Sequence, residues 1–127
     1  VILLTWNLNS DRPIYSQLID KLKIDIISGV YKAGDKIPSV RELAADASVN
    51  PNTMQKALTE LERDGLVYSQ RTSGRFITED QNMIKDVKNQ LAIEQISEFF
   101  EKMKQLGYKK EETMQLIENA FRGKENE

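Results

Sequence analysis

Ser39-Val-Arg-Glu-Leu-Ala-Ala-Asp-Ala-Ser-Val-Asn-Pro-Asn-Thr-Met-Gln-Lys-Ala-Leu-Thr-Glu-Leu-Glu-Arg-Asp-Gly65 holds two helix starts and a helix stop in one short stretch. Ser39 and Glu42 are spaced as a capping box, each side chain satisfying an orphan amide of the other. The helix they open is expected from Ser39 to about Ala47, with Val40, Leu43, Ala44 and Ala47 as its apolar side. After a break at Ser48 and Val49, Asn50 is a good N-cap, Pro51 a good first helical residue, and Asp64-Gly65 a stop. A second helix is therefore expected over Pro51 to Asp64. At about 100° per residue, Met54, Ala57, Leu58 and Leu61 fall in one sector, while Asn52, Gln55, Lys56, Thr59 and Arg63 fall opposite. One face packs and the other is wet.

Working outward, Pro13 fits the first turn of a helix that continues through Ile14, Leu18, Leu22 and Ile26 at i, i+4 spacing and stops at Gly29. Val30 to Pro38 reads as a loop, with Gly34, Asp35 and Pro38 as breakers. Beyond Gly65, Leu66 to Gln70 and Arg75 to Thr78 are β-prone runs separated by Arg71-Thr-Ser-Gly74, which reads as a hairpin. The predicted order is helix, helix, helix, hairpin, the layout of a winged helix-turn-helix.

From near Gln81 a long helical pattern runs through Ile84, Val87, Leu91, Ile96, Phe99, Met103 and Leu106 to Gly107. A second spans Lys110 to Arg122 and is expected to end at Gly123. Two helices alone cannot cover this apolar content, so either the front domain or a second copy of the chain must bury the rest; the second copy is expected, with Leu91, Ile96, Phe99, Phe100, Met103, Met114, Ile117 and Phe121 as the dimerising residues. The fold class is thus mainly α with a small β wing (α+β): a winged helix-turn-helix over residues 1–78 and a two-helix dimerisation tail, with room for an effector, over residues 79–127.

A chain of 127 residues allows one domain with an appendage. Composition is ordinary for a globular protein, 39% hydrophobic and 30% charged. Cys and His are absent, which removes disulfides, the usual zinc sites and every imidazole-dependent catalytic dyad. Scattered carboxylates without a cleft are ordinary surface charge, so no enzyme, no cofactor and no metal site is expected. The formal net charge is −2, split as −1 over residues 1–11, +2 over 12–78 and −3 over 79–127; a mildly basic front suits contact with a polyanion. The longest apolar run, Val1 to Leu4, is far short of the 18 or so residues of a membrane span, and no signal peptide is visible, so a cytoplasmic protein without a membrane partner is expected.

Amide, hydroxyl and ammonium groups of Asn52, Thr53, Gln55 and Lys56 near the start of the third helix are of the kind that reach base edges in a major groove, and Arg71 at the hairpin tip is placed for the neighbouring backbone or minor groove. The same residue types also occur on any solvated helix face. What separates the two readings is wording. Over about Arg12 to Ile77 the chain resembles the GntR family of bacterial transcription regulators, through Pro13-Ile-Tyr-Ser-Gln-Leu18, Gly34-Asp-Lys-Ile-Pro-Ser-Val-Arg-Glu-Leu-Ala44, Val49-Asn-Pro-Asn-Thr53, Leu61-Glu-Arg-Asp-Gly-Leu-Val67 and Arg71-Thr-Ser-Gly-Arg-Phe76.

The resemblance implies a winged helix domain that binds double-stranded operator DNA as a homodimer. It implies a phosphate or guanine contact from Arg41, whose alternative is a surface ion pair with Glu42 or Asp46. It further implies DNA contacts from Asn50, Asn52 and Thr53, for which capping and solvation are the alternatives, and a wing that includes Arg71, Ser73 and Gly74. Ser39 is a possible phosphate contact, although its capping duty already explains it. The 49 residues from 79 to 127 are too few for the effector domains of the larger subfamilies and are similar to the short tail of the YtrA subfamily. That similarity implies a dimerising tail and a regulator, usually a repressor, often tied to transporter operons. Two departures stand out: Thr72 where many members carry Gly, and Ala47-Ser48 where a bulkier apolar residue and a common Gly are usual. The rival reading, motivated by the −2 charge, is a winged-helix module that assembles with a protein rather than DNA. The sequence names no effector.

Overall fold

The computed structural model describes residues 6–125; the apolar run Val1 to Leu4 lies outside them. The described elements are α1 (Ile14–Ile27), α2 (Val40–Ala47), α3 (Pro51–Arg63), β1 (Val67–Gln70), β2 (Gly74–Ile77), α4 (Gln81–Gln105) and α5 (Lys110–Glu125). The chain divides into two compact units, residues 1–88 and 89–127.

In the first unit, α3 packs against α1, α2 and β1. Its Met54, Ala57, Leu58 and Leu61 are buried with Leu18, Leu22 and Ile26 of α1, Leu43, Ala44 and Ala47 of α2, and Leu66, Val67 and Ile77 around the hairpin. This is the face that helical spacing predicts, and truncating a fully buried leucine such as Leu58 would cost about 2 to 5 kcal/mol. Met83, Ile84 and Val87 at the start of α4 lie partly buried against the same core. Capping sets the ends. Ser39 Oγ accepts from the Glu42 amide at 3.2 Å while Glu42 Oε1 accepts from the Ser39 amide at 3.4 Å, and Asn50 Oδ1 accepts from the Asn52 amide at 2.8 Å.

Two expected boundaries are corrected. Pro13 is not inside α1: its backbone is extended (φ −53°, ψ 137°), and it serves as the N-cap, its carbonyl accepting from Ser16 and Gln17. Gly123 does not end α5, which continues through it to Glu125. A glycine terminates a helix by entering the left-handed region, as Gly29, Gly65 and Gly107 do (φ +87°, +83° and +96°), whereas Gly123 has no positive φ.

β1 and β2 pair antiparallel with Tyr68 opposite Phe76 and Gln70 opposite Gly74, and the Tyr68 and Phe76 rings stack at 5.8 Å. The segment expected to be a plain loop before α2 adds to this sheet. Lys36 bridges antiparallel to Phe76, with Gly34 N donating to Ile77 O, Ile77 N to Asp35 O, and Ile37 N to Arg75 O at 3.0, 2.8 and 3.0 Å.

In the second unit, α4 closes in a turn where Tyr108 N donates to Met103 O and Gly107 N to Lys104 O. Glu112 Oε1 accepts from Lys109 N at the start of α5. Thr113 is buried, whereas Ile93, Ile96, Phe99, Leu106, Met114, Leu116 and Phe121 are exposed.

Candidate nucleic-acid interface

Charge in the winged region is concentrated by pairing. Residues 12–78 carry ten Lys/Arg and eight Asp/Glu. Among the described residues Arg12 pairs with Asp20, Lys21 with Asp25, Lys23 with Asp64, Arg63 with Glu60 and Arg75 with Glu62. The cations left without an acidic partner are Lys32, Lys36, Arg41, Lys56 and Arg71. Arg41 bridges to neither Glu42 nor Asp46, so the ion-pair alternative for it is not realised. The modest excess of positive charge is thus delivered by a few unpaired side chains on the segment before α2, on α2, on α3 and on the wing, with Glu42 next to Arg41 the nearby carboxylate.

A cleft of about 850 Å³ lies between the N-terminal end of α2 and the wing, its lining including Lys36, Ser39, Arg41, Glu42, Thr72, Ser73, Gly74 and Arg75. It brings together four of the residues singled out in the sequence, Ser39, Arg41, Ser73 and Gly74. Arg71 is exposed at the hairpin turn beside them. Asn50, Asn52, Gln55 and Lys56 are exposed along the start of α3 and Thr53 is half-buried there. Gln55 and Lys56 edge a second groove, of about 430 Å³, with Tyr15, Thr59 and Arg63. Lys36 and Tyr15 are not found by sequence reasoning, because each reaches its neighbours across the fold rather than along one helix.

The wing is held to α3 by one carboxylate. Glu62 Oε1 accepts from Ser69 Oγ and from Arg75 Nε, both at 2.5 Å. The Ser69 hydrogen bond, with help from Arg75 and against partial burial, holds the Glu62 carboxyl below its ordinary value. Tyr31 also lines the cleft, with its hydroxyl buried, and its pKa is pushed up to about 12, first by burial and then by the nearby Asp25 and Asp46. Among the described residues no group of three His, Cys, Asp or Glu is arranged to hold a metal ion, and no helix is long and apolar enough to cross a membrane.

A family model for bacterial regulatory proteins of the gntR family matches residues 14–77. The chain belongs to the GntR family. It is 39% identical over 114 residues to YhcF, an uncharacterised HTH-type transcriptional regulator of Bacillus subtilis (strain 168), with 90% of this chain and 94% of that protein covered. It is 43% identical over 94 residues to the HTH-type transcriptional repressor YtrA of the same organism, covering 67% of this chain and 72% of the repressor. A GntR family transcriptional regulator from Listeria monocytogenes superposes with a TM-score of 0.79 at 37% identity, over 88% of this chain and 98% of that one. This GntR protein is a DNA-binding transcriptional regulator with a winged helix-turn-helix fold, and its relatives are regulators rather than enzymes.

The residues expected to dimerise all lie on α4 and α5. Ile96, Phe99, Met114 and Phe121 are exposed, and Leu91, Phe100, Met103 and Ile117 are half-buried. Ile93 and Leu116, which the sequence reading does not single out, and Leu106, which it places in the helical pattern but not among the dimerising residues, add to the exposed apolar surface.

Proposed function

We propose that this GntR protein is a cytoplasmic repressor that binds a short, nearly palindromic operator as a homodimer. In this reading residues 1–78 carry the DNA contacts and residues 79–127 hold two copies together. The observation that carries it is the set of unpaired cations and bare polar side chains gathered on α2, the start of α3 and the wing. The wet face of α3 enters a major groove, where Asn52, Thr53, Gln55 and Lys56 meet base edges. Asn50 keeps its cap and adds a contact at the same end. Arg41 and Ser39 meet phosphate from α2, and Arg71, Ser73 and Gly74 carry the wing along the neighbouring backbone. Repression is steric, by occupation of the promoter. The exposed apolar side chains of α4 and α5 supply the dimer contact; an isolated helical hairpin leaves such surface in water, and a second copy removes it.

Footprinting on the promoter upstream of its own operon, repeated with Arg41→Ala, tests the reading. A protected, symmetric site is expected, with the variant losing about 1 to 3 kcal/mol of binding and the wild type weakening steeply as salt rises. Binding that ignores both Arg41 and ionic strength would overturn it.

A further inference from the structure

The cleft between α2 and the wing contains a cation that neither motif spacing nor helix periodicity points to. Lys36 sits in the segment stitched to β2, its backbone fixed by the bridge to Phe76 and by the flanking hydrogen bonds of Asp35 and Ile37. Its side chain runs under the wing turn: a Cβ added to Gly74 would lie 3.0 Å from Lys36 Cε and 3.7 Å from Nζ. Arg75, in the same cleft, is neutralised by Glu62 at 2.5 Å, whereas Lys36 and Arg41 have no acidic partner among the described residues. Lys36 and Arg41, neither in an ion pair, therefore face one cleft that also holds Glu42, whose carboxylate is engaged in capping the Ser39 amide, one cation fixed by a helix and the other by a strand-like edge.

We infer that Lys36 is a DNA-backbone contact, which together with Arg41 grips phosphate between the wing and α2. This assignment rests on the DNA reading above and extends it to a residue outside the helix-turn-helix. A lysine is a compact point charge without the planar fork that reads guanine, so the contact is to phosphate and independent of base sequence. Gly74 is part of the device, because any side chain there would press on the Lys36 stem.

Because the contact ignores sequence, a labelled mixed-sequence duplex about three helical turns long serves as the probe. Fluorescence anisotropy of the full chain is followed between about 50 and 200 mM salt, where affinity falls linearly on logarithmic axes with a slope near −0.9 per phosphate engaged. Lys36→Gln is expected to bind several-fold more weakly and to lose about one from the magnitude of that slope. Lys36→Arg should retain the slope, and Lys32→Gln, an unpaired cation outside the cleft lining, should behave as wild type. An unchanged slope in Lys36→Gln beside a wild type that binds normally overturns the role of Lys36 and leaves the DNA reading intact. Equal loss in the Gln and Arg variants, with lowered unfolding midpoints, makes Lys36 a structural residue and also overturns it. A wild type that fails to bind duplex at low salt removes both claims.

Discussion

Ser48 and Thr72 adopt left-handed backbone conformations, with φ of 56° and 64°, and these are two of the positions where the family resemblance places glycine. Ser48 is the C-cap of α2, and Thr72 stands at the wing turn with its hydroxyl donating to Arg71 O at 2.5 Å. For a residue with a Cβ this region costs roughly 1 to 2 kcal/mol, and a β-branched side chain is the worst placed of all. Glycine relieves that cost but loses more freedom on folding, so the net gain is smaller. Ser48→Gly and Thr72→Gly are each expected to stabilise the protein by up to about 1 kcal/mol, Thr72→Gly more so, measured by urea unfolding. Thr72→Val keeps the branch and removes the hydroxyl bond, and should shift stability the other way. A Thr72→Gly variant less stable than wild type would mean that the local hydrogen bond outweighs the backbone cost.

At the scale of elements, Glu62 joins α3 to both strands of the wing through one carboxylate oxygen. Its carboxyl is held below the ordinary value of 4.5, so the folded state binds the proton less readily than the unfolded one. The resulting stabilisation is complete above the ordinary glutamate range and disappears as pH falls through the lowered folded value. Glu62→Gln should therefore lower the unfolding midpoint at neutral pH, and the gap to wild type should close in acid; a gap constant from pH 7 downward would rule out this linkage. The same side chain marks what the chain reveals in one dimension. Capping by Ser39 and Asn50, the stops at Gly29, Gly65 and Gly107, and the buried sector of α3 were legible because each depends on residues within a few positions of one another. The Arg75 to Glu62 pair and the Lys36 to Phe76 bridge were not, since their partners meet only after the hairpin has docked. Gly123 misled for the opposite reason: glycine permits a left-handed stop without requiring one. Among the proposed DNA contacts, those on α2 and α3 could be placed on an exposed face from periodicity, but the cleft uniting Ser39 and Arg41 with Ser73 and Gly74 needed the fold.

For the whole molecule, the exposed side chains of α4 and α5 and the unpaired cations of the winged unit make separable predictions. Ile96→Glu or Phe121→Glu places a charge on the proposed seam; if the proposed dimer forms, each variant should sediment at half the mass of the wild type in sedimentation velocity. Operator affinity should then fall about a hundredfold or more, because the second half-site no longer benefits from tethering. Retained dimer mass in both variants would send the search for the seam elsewhere on the tail. Arg71→Ala, by contrast, should leave mass unchanged and weaken binding to operator and unrelated duplex by similar factors, as expected of a backbone contact. One feature of the winged unit bears on the speed of these events. Hydrogen bonds from residues 34 to 37 reach Arg75 and Ile77, so β2 is paired along both of its edges near the base of the hairpin. A strand held on both sides has less ordering entropy left to lose on meeting a duplex, and more of its contact energy goes into the lifetime of the complex.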